Sequence, residues 1–325
     1  MMHGHSREWS VAGTIAGLSL LLAALAPGYF GRESLLAILQ VNIPVLIIAV
    51  GATLVMLTGR IDISVGSIFA VCSAAGGVLA KAGLPVPAVA FGACLAGAVL
   101  GAVNGGLVAY LRIPSIVVTL AAMVALRDGL RWATQGAWIE NLPGDFQWLG
   151  FPQLFYPVIT VLIAGTLAFG AAWGLRNLAV CRAVYAVGSN EEAARLAGLN
   201  TRRVVFWVFS LNGALTGLAA ILNSARFNQI PTNAGVGLEM KVIAAVVVGG
   251  TAITGGTGSI VGTLLGVILL GAIGPALTFL GVNAYWEKAI QGAIILAAIL
   301  SDASRGYFLQ GGRHTHASSP AATHA

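Results

Sequence analysis

Residues 36–58 read LAILQVNIPVLIIAVGATLVMLT, a stretch without one charged side chain. About 20 apolar residues is the length an α-helix needs to cross a hydrocarbon layer of roughly 30 Å. A helix also satisfies its own backbone hydrogen bonds, which lipid cannot do for it. Runs of this kind recur along the chain. Ten spans are expected, near residues 11–29, 36–58, 64–82, 86–110, 114–132, 155–175, 204–222, 240–255, 258–280 and 285–301. The run at 240–255 is short and ends in TGGTGS, the pattern of a half-span or re-entrant segment. Irregular backbone of that kind is tolerated in a membrane where protein or a cavity surrounds it.

Apolar residues make up 58% of the 325 positions and charged ones 9%, against about a quarter charged in soluble domains. Only a chain solvated mainly by lipid can leave so little charge for its surface. Forty-three glycines let helices approach closely where no hydrophobic effect drives them together. The net charge of +6 reflects orientation in the bilayer and gives no sign of a nucleic-acid partner. With the N-terminus inside, the inner segments hold ten basic and five acidic residues, the outer ones seven and six. That excess predicts cytoplasmic termini. The expected fold class is an all-α polytopic membrane protein of about ten transmembrane helices. It divides into a cytoplasmic tail at 1–10, a membrane domain at 11–301 and a disordered cytoplasmic tail at 302–325. The loop 133–154 should lie outside and 176–203 inside. A faint echo, SVGSIFAV at 64–71 and GTGSIVGT at 256–263, hints at an internal repeat.

Enzyme chemistry finds no foothold. A Walker loop needs a lysine after glycine, and Lys81, Lys241 and Lys288 all lack one. There is no HExxH and no GxSxG, and all five histidines lie near the termini. Cys72, Cys94 and Cys181 have no metal-ligand spacing and read as small packing residues. No cofactor or metal is expected on this chain.

Three groups of residues stand out. In VGSNEEAARLAGL, Ser189 precedes Asn190, Glu191 and Glu192, the spacing of a capping box in which Ser189 caps the helix and Glu192 is its N3 residue. Gly198 is the matching stop. A short helix results, with Arg195 on it, which either docks in a groove on another protein or joins two spans as a solvated linker. In GRIDISVGS, Arg60 and Asp62 fall between two spans. Charge at mid-bilayer costs about 2.5–3.5 kcal/mol, so an interfacial position is expected, with Asp62 at the positive start of the next helix. The other reading makes Arg60, Asp62 and Ser64 a hinge or gate. Finally, Asn42, Asn104, Asn212 and Asn223 either face a solute pathway or bond across packed helices, and Asn104, followed by two glycines, reads as packing. Glu239 and Lys241 are either pathway residues at an outer mouth or a snorkelling interfacial pair. Arg127, Asp128 and Arg131 admit the same two readings.

GRIDISVGS, VNGGLVAYLRIPSIVVTL, VGSNEEAARLAGL and VIAAVVVGGTAITGGTGS together resemble the ribose-type sugar permeases. These are the inner-membrane subunits of bacterial binding-protein-dependent ABC importers. The similarity runs from about residue 36 to 301. It implies a second permease subunit, identical or related, two cytoplasmic ATPase subunits that use ATP and magnesium, and a periplasmic solute-binding protein. It also implies that the segment around 188–200 rests on the ATPase. Arg60 stands where the family usually has glycine and Lys241 where it usually has aspartate. Both departures, with TQGAWIENLP, are closer to the autoinducer-2 and rhamnose branch than to ribose. The alternative class is an ion-coupled secondary transporter, which needs buried carboxylates; Asp62, Asp128, Glu239 and Glu287 all fall near span ends.

Overall fold

The computed structural model describes residues 3–283, 285–294 and 296. Eleven α-helices are set out among them: α1 (His3–Leu25), α2 (Arg32–Leu57), α3 (Val65–Lys81), α4 (Val86–Ala109), α5 (Ser115–Thr134), α6 (Tyr156–Asn177), α7 (Ala179–Ser189), α8 (Glu191–Leu196), α9 (Thr201–Ser224), α10 (Leu238–Val248) and α11 (Ile260–Phe279). Six of these, α1, α2, α4, α6, α9 and α11, are long and apolar enough to cross a membrane. Of the span expected at 285–301, residues 285–294 and 296 are described and are helical from 286 on, while the rest of it and the tail at 302–325 fall outside the described residues. Helix α1 starts well ahead of residue 11, so most of the segment expected as a tail is helical.

The core forms around α9, which packs along α4 and against α2 and α3. The α4–α9 contact is antiparallel and built on small residues. Gly97 and Gly101 of α4 face the backbone at Gly213 and Phe209, and Gly217 faces Ala93, so closely that a methyl group would collide. Backbones meet there because nothing stands between them.

Two helices carry internal prolines, each of which removes a bond to the carbonyl four residues earlier. Pro44 frees the Gln40 carbonyl in α2, and Arg226 Nη1 donates to it at 3.2 Å. Pro275 frees the Gly271 carbonyl in α11, and Asn42 Nδ2 donates to it at 3.3 Å. Asn42 is thus a packing residue that completes a neighbouring helix.

Two spans are broken. Helix α10 has 11 residues, about 16 Å at 1.5 Å per residue, half of a membrane's thickness. It runs antiparallel to α11, with Ala245 against Gly266 and Gly249 against Gly262. The chain reaches its start through a run of turns at 232–237 that comes from the far end of the bundle. There Ile230 pairs with Ile139 across an isolated bridge and both lie over Gly77 of α3. Gly235, five residues on, already faces Gly66. Eleven residues of α3 separate Gly77 from Gly66, so this segment descends about 16 Å into the bundle.

The second break corrects the expectation of a surface loop at 59–63 followed by a full span at 64–82. Helix α2 ends at the same face as α8, where Gly256 N–H donates to the Leu57 carbonyl at 2.9 Å. Residues 58–64 then turn back into the bundle. Gly59 makes that turn at φ +72°, a conformation that favours glycine. At the other end of the segment, Asp62 bonds to Asn212 at the midpoint of α9. Helix α3 therefore starts inside the bundle, and its first turn meets the first turn of α10, with Gly66 beside the Glu239 carboxylate. The hydropathy of 64–82 is that of a span; only the contacts reveal where it begins.

Candidate functional site: a buried strap and a protruding helix

Residues 58–64 form a strap with one end at the surface and one end buried, and each end is fixed by side chains. At the inner end Asp62 is 3% exposed. Its Oδ1 accepts the Ser64 N–H at 3.0 Å and the Ser64 hydroxyl at 2.6 Å, and its Oδ2 accepts Asn212 Nδ2 at 3.0 Å. Asn104 Nδ2 donates in turn to Ser64 Oγ at 2.8 Å. Asn104, Asn212 and Ser64 are all buried. The sequence brought out Asp62 and Ser64 in one group and Asn104 and Asn212 in another; the fold gathers them into one network joining α4, α9 and the strap. Asp62 does serve the start of α3, as expected, through the Ser64 amide. The expectation that it is interfacial fails, because the strap carries it inward and three donors replace water around its charge.

Arg60 does not pair with Asp62. It points the other way along the strap, where its guanidinium donates to the Thr58 carbonyl at 2.8 Å and to Glu191 Oε2 at 2.9 Å. Glu191 opens α8, so a direct ion pair ties the strap to the short helix. The surfaces around it are tight: a methyl on Gly188, near the end of α7, would collide with the Leu57 carbonyl and the Gly256 amide. Between α8 and the ends of α2, α4 and α5 lies a cavity of about 1200 Å³, lined by Arg60, Arg112, Asn190, Glu192 and Arg195 among others.

The capping of α8 differs from expectation. Ser189 is the last residue of α7. Asn190, at φ −162° and ψ 101°, is the extended residue before α8, and its side chain accepts the Ala193 N–H at 2.9 Å. A cap must sit outside helical geometry, and the unforeseen helix α7 leaves only Asn190 free to do so. Glu192 does not reach back either; it pairs with Arg195, whose hydrogen bond and charge hold the Glu192 carboxyl below the usual glutamate range. Gly198 takes φ +86°, the left-handed stop the sequence called for.

Glu239 and Lys241 are also corrected: they neither pair with each other nor sit at an exposed mouth. Lys241 Nζ lies 4.0 Å from Glu287, and Glu239 Oε2 lies 3.9 Å from Arg127 Nη2. Asp128 and Arg131 form an exposed pair on the far side of α5. Arg127 separates from Asp128 because one residue turns the helix by about 100°, and from Arg131 because that residue lies a full turn further along α5. Cys72, Cys94 and Cys181 are free thiols. Among the described residues no cluster of histidine, cysteine or carboxylate side chains is suited to hold a metal.

An apolar helical bundle whose buried polar groups gather at two broken spans, with one short helix projecting from its face, is built as a multi-pass membrane transport protein. The chain belongs to the permease family described as the branched-chain amino acid transport system permease component, whose model matches residues 34–299. It is a multi-pass inner-membrane permease subunit of an ABC importer. It is 39% identical, over 92% of its own length and 85% of the relative's, to the autoinducer 2 import system permease protein LsrC of Yersinia pseudotuberculosis serotype O:1b (strain IP 31758). The protein of the same name from Yersinia pestis (strain Pestoides F) is 38% identical over the same shares. No solved structure matches the chain.

Proposed function

We propose that this subunit imports a sugar-like solute of the autoinducer-2 type, delivered by a periplasmic binding protein and driven by ATP hydrolysed on separate subunits. The observation that carries the solute class is the 39% identity over 92% of the chain to a permease named for autoinducer-2 import. The family's description names branched-chain amino acids, but individual relatives this similar are the better guide to solute. On this reading the chain has about ten spans with both termini cytoplasmic. It pairs with an identical or related permease in a complex with two ATPase subunits, rests on the ATPase through the α8 segment with Ser189, Asn190, Glu191, Glu192, Arg195 and Gly198, and binds no cofactor itself.

The 2.9 Å contact between Arg60 and Glu191 gives this reading its mechanism. A push on α8 reaches the strap through that ion pair and the Gly188 contact. The strap ends at the first turn of α3, in the middle of the bundle, where Asp62 and Asn212 hold it. Displacing α8 therefore displaces a helix start beside the solute's path, without moving a whole span. The ion-coupled alternative gains one point, since Asp62 and Glu239 lie deeper than the sequence indicated. Asp62, however, is already engaged by three donors and has little capacity left for a transported ion.

Uptake into vesicles tests the reading. Autoinducer-2 accumulation should need internal ATP and the partner ATPase and should survive a protonophore. Accumulation by the purified chain alone in liposomes, driven by an ion gradient, would refute it.

A further inference from the structure

The breaks in α3 and α10 bring together Glu239 and Arg127, an ion pair whose two facing atoms make no hydrogen bond. Glu239, in the first turn of α10, is 9% exposed. Its Oε1 accepts the Gly237 N–H at 3.2 Å, while its Oε2 is buried and bonded to nothing. Opposite, Arg127 of α5 gives its Nε to Ser67 Oγ at 3.2 Å, and Ser67 in turn donates to the Met123 carbonyl at 2.8 Å. The Arg127 Nη2 is likewise buried and unbonded. These two atoms stand 3.9 Å apart, beyond hydrogen-bond range. Burying a donor and an acceptor without a hydrogen bond is unfavourable, so a fold that served stability alone would close the gap or fill it with apolar atoms.

We propose that Arg127 and Glu239, supported by Ser67, form the solute subsite of this permease and bind a hydroxyl pair of a neutral polyhydroxylated solute. The proposal rests on the function proposed above. The facing Nη2 donor and Oε2 acceptor are together the complement of a hydroxyl group, which accepts from Arg127 Nη2 and donates to Glu239 Oε2, and the second N–H of Nη2 serves an adjacent hydroxyl. A carboxylate ligand would favour a two-pronged face of the guanidinium, but the Nε–Nη2 face has its Nε committed to Ser67, and a second carboxylate beside Glu239 would set like charges together. The pair also sums to zero charge, which suits an uncharged ligand. Its place agrees: helix breaks in transporters occur where backbone lines the solute site. Gly66 lies against both side chains, too close to admit even a methyl group beside Glu239. The subsite is therefore closed in this conformation and accepts solute only when the start of α3 moves away from α10, the motion the strap controls.

The test uses the assembled importer with its ATPase and binding protein. In Arg127→Met with Glu239→Met, no charge is left unpaired, and replacing a buried ion pair by apolar side chains is often neutral or stabilising. That variant should melt at or above the wild-type temperature yet take up autoinducer-2 at least tenfold more slowly. Glu239→Gln, which preserves size, should lose at least fivefold if the double variant fails to accumulate. Wild-type uptake in either folded variant overturns the proposal. As a direct probe of occupancy, Ser67→Cys, in a chain whose native cysteines are replaced, should react with a maleimide during turnover, with protection by saturating autoinducer-2 and none by leucine. Protection by leucine overturns the hydroxyl assignment. Failure of the wild-type assembly to import autoinducer-2 while it imports leucine overturns the function proposed above as well.

Discussion

Reversing the Arg60–Glu191 pair separates force transmission from mere adjacency. The ion pair is 2.9 Å long, with side chains 17% and 51% exposed. Two unit charges about 4 Å apart attract by roughly 4 kcal/mol at an effective dielectric of 20. With Glu191 half in water, that gain is mostly spent on desolvation and screening, and exposed pairs measure about 0.2–1 kcal/mol. One kcal/mol is about a fivefold change in rate. Arg60→Ala should therefore lower uptake about fivefold while barely changing the melting temperature. Glu191→Arg, which sets two cations against each other, should lower it by tenfold or more. The exchange Arg60→Glu with Glu191→Arg should recover uptake to within about threefold of wild type, a coupling that a double-mutant cycle isolates. The assay is ATP-dependent uptake per ATP hydrolysed in the reconstituted importer. If the exchanged variant is no better than Glu191→Arg alone, Glu191 acts through the ATPase only and the strap does not carry the push.

At the inner end of the strap, Asn212→Leu removes one donor from a buried carboxylate and should cost about 1.5–3 kcal/mol. Asp62→Leu combined with Asn212→Leu should cost less than the sum of the singles, as measured by denaturation of the detergent-solubilised chain. Gly188→Ala forces a methyl group into the Leu57 and Gly256 backbone, an overpacking of about 1–3 kcal/mol that should lower the melting temperature by about 3–8 °C. Asn190→Ala should loosen α8 by about 1 kcal/mol, so that trypsin cleaves after Arg195 about fivefold faster. Ser189→Ala should leave that rate unchanged, and the opposite ranking would return the cap to Ser189.

The membrane helices and the short helix at 191–196 were readable because their signals are local: uninterrupted apolar runs, and acidic residues followed by a left-handed glycine. The half-span at α10 was readable for the same reason, from its length and the glycines after it. What could not be read was depth. Residues 59–64 have the charge and glycine content of a surface loop. Only tertiary contacts, Asp62 with Asn212 and Gly66 with Glu239, show that they lie inside. Pairing was hidden as well. Spacing in the chain coupled Arg60 with Asp62 and Glu239 with Lys241, whereas the fold couples Arg60 with Glu191 across 131 residues and Glu239 with Arg127. Ser67 carried no signal beyond its place in GRIDISVGS. Pro44 and Pro275 did carry one: each frees a carbonyl in a membrane, which demands a donor, and Asn42 is one of the two that answer.

The direction in which Arg60 and Asp62 point explains why a chain with so little charge keeps both. A strap that only joined two helices would be served by apolar residues throughout, at less desolvation cost. Here each charge has a partner on a different body, Glu191 on the projecting helix and Asn212 in the middle of the core, with Ile61 between them bonded to Ser115 at the start of α5. On the proposed mechanism, an element held at both ends passes a displacement on, and the left-handed turn at Gly59 is where it changes direction toward the core. The helix it would push, α3, is a short rod that starts beside Arg127 and Glu239. Moving such a rod disturbs fewer packed surfaces than moving a helix seated along its whole length, as α4 and α9 are. On that mechanism the two broken spans would be the parts that move, beside the facing atoms of Arg127 and Glu239, and the close-packed glycine seam of α4 and α9 would be the wall against which they move.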